Sequence, residues 1–200
     1  MRRALAALLI GVAGPAAALA GPAAAASTDA AVAALALPEP QFRQMLASVV
    51  FTAQTMGMAA FNLGIRGNCA AVRPAFDQAI ARHLPVWQAN LVKAYRDQVP
   101  GDTLDKAATA GAVGGGRLIL PFRDKIGAQM QAASTPLLKV AAAEVLEPVW
   151  NAASKVDFKA IDGDKRLAEM RAAKADGSLF CGLMPTTGGA RRIDTTRVIS

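Results

Sequence analysis

From Gln41 to Ala173 the apolar residues recur at every third or fourth position, and almost nowhere at every second. That period lays side chains along one face of an α-helix, whereas a half-buried strand needs strict alternation. Alanine is abundant and no run of β-branched residues alternates with polar ones, so local propensity agrees with the pattern. The chain is therefore expected to be all-α, a single-domain irregular bundle of about six helices over residues 41–184.

Phe42, Met45, Leu46, Val49, Val50, Ala53, Met56 and Ala60 trace the apolar face of a first helix over 41–63, ended by Gly64 and Gly67. Pro74 and Pro85 suit first-turn positions, where the missing N–H breaks no helical bond, and predict helices over 74–83 and 85–98. The second of these has a weak stripe, because Val86, Leu91, Ala94, Tyr95 and Gln98 do not share a face. After the Pro100-Gly101 turn, Asp102 or Thr103 caps a helix over 103–113, stopped by Gly114-Gly115-Gly116. The longest periodic run covers 118–153, from Ile119, Phe122, Ile126 and Met130 to Val140, Val145, Val149 and Trp150, with a break at Pro136. A last helix over 164–174 starts beside Asp162-Gly163-Asp164, carries Leu167, Met170 and Ala173, and closes at Asp176-Gly177.

Upstream of the domain, Met1-Arg2-Arg3 is cationic and Ala4–Gly14 is apolar. Small residues follow, as Ala18-Leu19-Ala20 and Ala24-Ala25-Ala26. This is the layout of a secretory signal peptide over 1–26, cut after Ala20 or Ala26. The uncharged stretch Ala4–Thr28 is long enough to span a bilayer of about 30 Å. Pro15, Pro22 and the Ala/Gly-rich second half favour cleavage over such an anchor. No cysteine precedes Cys69, which leaves no thiol for lipidation at the cut. No later segment stays uncharged and apolar long enough to span, so no transmembrane segment is expected in the mature chain. The expected product is exported to a bacterial periplasm or secreted. It has a flexible Ala/Pro-rich lead-in at 27–40 and a disordered polar tail at 185–200.

With 22 Lys and Arg against 15 Asp and Glu the net charge is +7, of which Arg2 and Arg3 carry two. The remaining cations are scattered, with only Lys165-Arg166 and Arg191-Arg192 adjacent, and show none of the dense basic stripe of a nucleic-acid binder. Solubility, or a weak attraction to anionic lipid or cell-wall polymer, accounts for such a charge. Cys69 and Cys181 are the two cysteines, and an oxidising compartment makes them a disulfide pair. The bridge would close a loop of about 112 residues, with both cysteines in irregular segments beside Gly67 and Gly182. A redox role would call for Cys-x-x-Cys, which is absent.

Candidate chemistry is sparse, and no catalytic, cofactor-binding or metal-ligating residue is assigned. His83 is the only histidine, and Arg82-His83-Leu84-Pro85 reads as a helix end, where the dipole favours a structural imidazole. Zinc would require a second histidine or free thiols. Met45, Met56 and Met58 could suggest a thioether copper site, but Met56 and Met58 lie on different faces and methionine packs cores well. Asp162-Gly163-Asp164 fits neither register of a calcium loop and reads as turn and cap chemistry. Gly111 and Gly114–Gly116 lack the Lys-Ser/Thr of a phosphate loop.

Within 102–117, Thr103-Leu104 opens a segment that closes on Gly116-Arg117, with Tyr95-Arg96 just upstream. In these positions it resembles the secreted helical bacterial family catalogued as domain of unknown function 2059. The family's motif runs from an acidic or Thr start and a Leu to Phe-Tyr-x-Ser-Pro-x-Gly-Lys/Arg. Ala110-Gly111 here replaces the Phe-Tyr pair and Val113-Gly114 the Ser-Pro. The resemblance implies an exported helical domain with no established activity, and it transfers no site residues. Three function classes follow: a non-enzymatic binding or accessory module with an envelope partner, a hydrolase using His83, or a carrier of a small apolar ligand. The hydrolase requires a cleft holding His83, an acid and a serine, and the carrier requires an apolar cavity between helices.

Overall fold

The computed structural model describes residues 29, 30, 32 and 35–184; the expected signal peptide, its cleavage sites and the polar tail lie outside them. Six α-helices have defined bounds: α1 Pro38–Thr52, α2 Gln54–Gln98, α3 Gly101–Thr109, α4 Gly111–Ile119, α5 Arg123–Ala153 and α6 Gly163–Asp176. Single 3₁₀ turns at Leu120–Phe122, Phe158–Ala160 and Ser178–Phe180 complete the fold. There is no strand among the described residues, as the periodicity predicts.

α2 and α5 form the spine and run antiparallel. Asn62 Nδ2 donates to the Ala153 carbonyl at 3.3 Å, His83 Nε2 lies 3.1 Å from Glu144 Oε2, and Gln98 Nε2 donates to Gln129 Oε1 at 2.7 Å. α1 bends back from α2 by 73° and closes one side of the spine. Its Phe42, Leu46 and Val50 meet Val72, Phe76, Val145 and Val149, all fully buried. Among the described residues no single helix is long and apolar enough to cross a membrane. α1 and α2 pass that test only together, across the bend, and bury Phe42, Leu46, Val50, Val72 and Phe76 in the core.

Four expected boundaries are corrected. The break in the first helix falls at Ala53, and Gly64 is a kink inside α2 (φ 72°, ψ 166°) while Gly67 is helical. Pro74, Pro85, Pro136 and Pro148 start or stop nothing; each sits within a continuous helix. All four prolines are exposed. The carbonyls they leave without a donor, at Ala70, Ala81, Ala132 and Glu144, belong to exposed or half-buried residues and can be served by water, which lets the helices continue. The third correction is at α3. It begins at Gly101 without a side-chain cap, so Asp102 and Thr103 lie in its first turn.

The fourth concerns the glycine triplet. The α3–α4 turn is Gly111 (φ 70°), and Gly114–Gly116 are inside α4. There Gly115 serves close approach: a Cβ would collide with the Ala107 carbonyl and the Leu35 side chain. The core also reaches upstream of position 41, since Val32 and Ala36 are buried and Pro38 opens α1. Val140 and Trp150, expected inside, are 53% and 40% exposed.

α6 follows the expectation at both ends. The Asp162 carboxylate accepts from the Lys165 N–H at 3.1 Å, and Gly177 (φ 80°) closes the helix. Its interior does not, because Ala173 alone is buried and Leu167 is 42% exposed. Polar contacts hold α6 to the α2 kink instead. The Arg166 guanidinium lies where any Cβ at position 64 would fall. Glu169 Oε1 accepts from the Ile65 N–H at 3.1 Å, and Glu169 Oε2 pairs with Arg166 at 3.3 Å. The Cys69–Cys181 disulfide forms as expected, with Cα atoms 5.2 Å apart. Only Cys181 is in an irregular segment; Cys69 lies within α2, just past the kink.

Candidate functional site

A cavity of about 640 Å³, within the range of small-ligand pockets, opens between the helices. It lies where α2, α5, the start of α1 and the end of α4 fail to close on one another. α2 supplies Trp87, Leu91 and Tyr95 at successive helical turns, and α5 supplies Ile126, Met130 and Leu138 from its facing side. Leu35, Met45, Ile119 and Leu120 complete an apolar wall. The space arises from small residues on those same faces: Gly116 on α4, and Gly127, Ser134 and Thr135 on α5. A Cβ added at Gly116 or Gly127 meets no atom within 4 Å.

Two polar atoms in this wall have no partner. Trp87 Nε1 and Ser134 Oγ are each buried and make no hydrogen bond, although their residues are only 2% and 1% exposed. A buried donor left unmet costs about 1–3 kcal/mol, and both atoms lie covered within the wall rather than open to the chamber. Tyr95 lines the same wall, and burial pushes its phenol above the ordinary tyrosine range, so it stays protonated at neutral pH. Gln41, Gln131 and Arg123 add polar groups. Phe42 backs Trp87 from behind, their ring centroids 5.1 Å apart.

His83 stands apart from this cavity. It is mid-helix in α2 rather than at a helix end, and its environment is an ion-paired carboxylate. Glu144 Oε2 receives both His83 Nε2 at 3.1 Å and Arg82 Nη1 at 3.0 Å. Burial pushes the Glu144 carboxyl up, but the hydrogen bonds from His83 and Arg82 outweigh it and hold the group below its usual range. Glu144 is the acid that a hydrolase would need. Yet among the described residues no serine or cysteine is hydrogen-bonded to His83, and His83 does not line the cavity. The arrangement pins α2 to α5.

The methionines do not gather. Met56 is in the core, where its Sδ accepts from Asn68 Nδ2 at 3.4 Å, while Met58 is exposed and Met45 borders the cavity. Among the described residues no three His, Cys, Asp or Glu side chains converge on a point that could hold a metal. The two cysteines are joined to each other.

The residues that build the cavity carry a faint sequence signal. Reading the 85–98 stripe from Val86, which is 49% exposed, misses the buried register one position on: His83, Trp87, Leu91 and Ala94. On α5, Gly127 and Ser134 interrupt an otherwise apolar face at helical spacing, which is how a helix makes room. No protein-family model, no curated protein and no solved structure matches this chain.

Proposed function

We propose that this chain is an exported, non-enzymatic binding protein that carries a small, mainly apolar ligand in the cavity between α2 and α5. The observation that carries the reading is the cavity of about 640 Å³, walled mainly by apolar side chains from α2 and α5. A fitting ligand has an apolar body and a polar end placed among Gln41, Tyr95, Arg123 and Gln131 on the lining. A hydrolytic centre at His83 has no such support, because the imidazole is engaged by Glu144 away from the cavity.

Binding is tested by titrating the protein with a dansyl-labelled undecanoic acid and following dansyl emission. Saturable one-to-one uptake is expected, weakened at least tenfold by Gly127→Phe, whose ring enters space where a Cβ meets no neighbour. Removing a helix-interior glycine should at the same time leave stability unchanged or slightly raised. Equal uptake by the variant, or none by the parent, would sink the reading. Export rests on the tripartite N-terminus alone. The intact mass of the periplasmic protein should correspond to cleavage after Ala20 or Ala26, and a full-length membrane-bound product would exclude it.

A further inference from the structure

We infer that the outer face of α4 docks on an anionic lipid bilayer and that the cavity draws its ligand from that surface. The second half of the inference rests on the carrier reading; the first does not. α4 has two faces of different character. Gly115 and Ile119 turn inward and are buried. Val113, Arg117 and Leu120 follow one another at helical spacing on the outside, with Val113 78% and Leu120 61% exposed.

Charge selects the partner. From Lys106 to Arg123 the chain holds three cations and no Asp or Glu, and the next acid, Asp124, is followed by Lys125. Arg117 and Arg123 form no ion pair among the described residues, whereas Lys106 reaches Asp102 at 3.5 Å. Exposed apolar side chains flanked by unpaired cations match the interfacial zone of a bilayer, where apolar groups enter the acyl boundary and cations meet anionic headgroups. A soluble acidic protein would satisfy the charges but not the protruding Val113 and Leu120.

Position links docking to the cavity. Leu120 belongs both to the exposed ridge and to the cavity wall, and Arg123 is one turn further along that wall. An acyl-type ligand leaving the bilayer at this point enters the chamber without crossing bulk water.

The test is co-sedimentation of the mature protein, recovered after export and cleavage, with sucrose-loaded vesicles, either of phosphatidylcholine alone or of two parts phosphatidylcholine to one part phosphatidylglycerol. Binding is expected only to the anionic vesicles, with a fall on raising salt. The double variant Val113→Asp/Arg117→Glu changes two exposed residues outside the cavity wall. It should lose at least tenfold in vesicle partitioning and transfer the dansyl acid from vesicles at least tenfold more slowly, while taking it up from solution as the parent does. Equal binding to both vesicle types, or an unaffected double variant, overturns the docking face. So does a parent that sediments as a dimer which Val113→Asp dissociates, because a second copy would then cover it. Vesicle binding without dansyl uptake leaves docking standing and rejects the carrier reading alone.

Discussion

Replacing Cys69 and Cys181 by serine, or reducing their bridge, should lower unfolding free energy by about 3 kcal/mol and the melting temperature by roughly 6–12 °C. The cross-link spans 112 positions, so breaking it returns to the unfolded chain much of its conformational freedom. The loss should also be local. Beyond residue 160 the chain is held by the Arg166 and Glu169 contacts at the α2 kink, by the Phe51–Phe180 ring pair at 5.6 Å, and by Arg73 Nε donating to the Cys181 carbonyl at 3.0 Å. With the bridge gone, proteolytic nicking and amide exchange should rise first over 161–184, while far-ultraviolet circular dichroism stays strongly helical. An unchanged denaturation midpoint, or uniform loosening of the entire chain, would contradict this view.

Phe42→Ala should cost about 3–5 kcal/mol. Phe42 is fully buried and is the largest side chain that α1 contributes to the core. Its removal leaves a void between α1 and the spine and deprives Trp87 of its ring partner. The change should therefore appear twice: as a lower urea midpoint, and as altered emission in the folded protein from an indole that forms part of the cavity wall. Phe42→Leu keeps most of the volume and should cost about 1.5 kcal/mol or less. A Phe42→Ala protein with the parent's midpoint would mean that α1 is not integral to the core.

The helical class was readable because period and composition agree, and the disulfide because only two cysteines exist. α6 was readable at both ends since Asp162 and Gly177 act through local backbone chemistry, which sequence displays directly. The prolines misled for the opposite reason. Whether a mid-pattern proline stops a helix depends on whether the carbonyl it orphans faces water, which is a property of the packed fold. Gly115 likewise looks like a terminator until its neighbour is known to be the Ala107 carbonyl. The cavity was the least legible feature. It is made by what α4 and α5 omit, and neither Trp87 nor Ser134 is unusual until both are seen without partners.

The way α6 is attached bears on how the molecule fails. A helix docked through a broad apolar stripe leaves two sticky surfaces when it detaches. α6 buries one alanine and engages the spine through a guanidinium and a carboxylate, while the segment that follows it is tied on by the disulfide. Its release would uncover mostly polar surface on both sides, apart from the few apolar side chains around Phe180. A partly opened chain of this kind offers little to stick to its neighbours, so it stays dispersed and free to close again. The weakest-held part of the protein is thus also the part whose loss carries the least risk of aggregation.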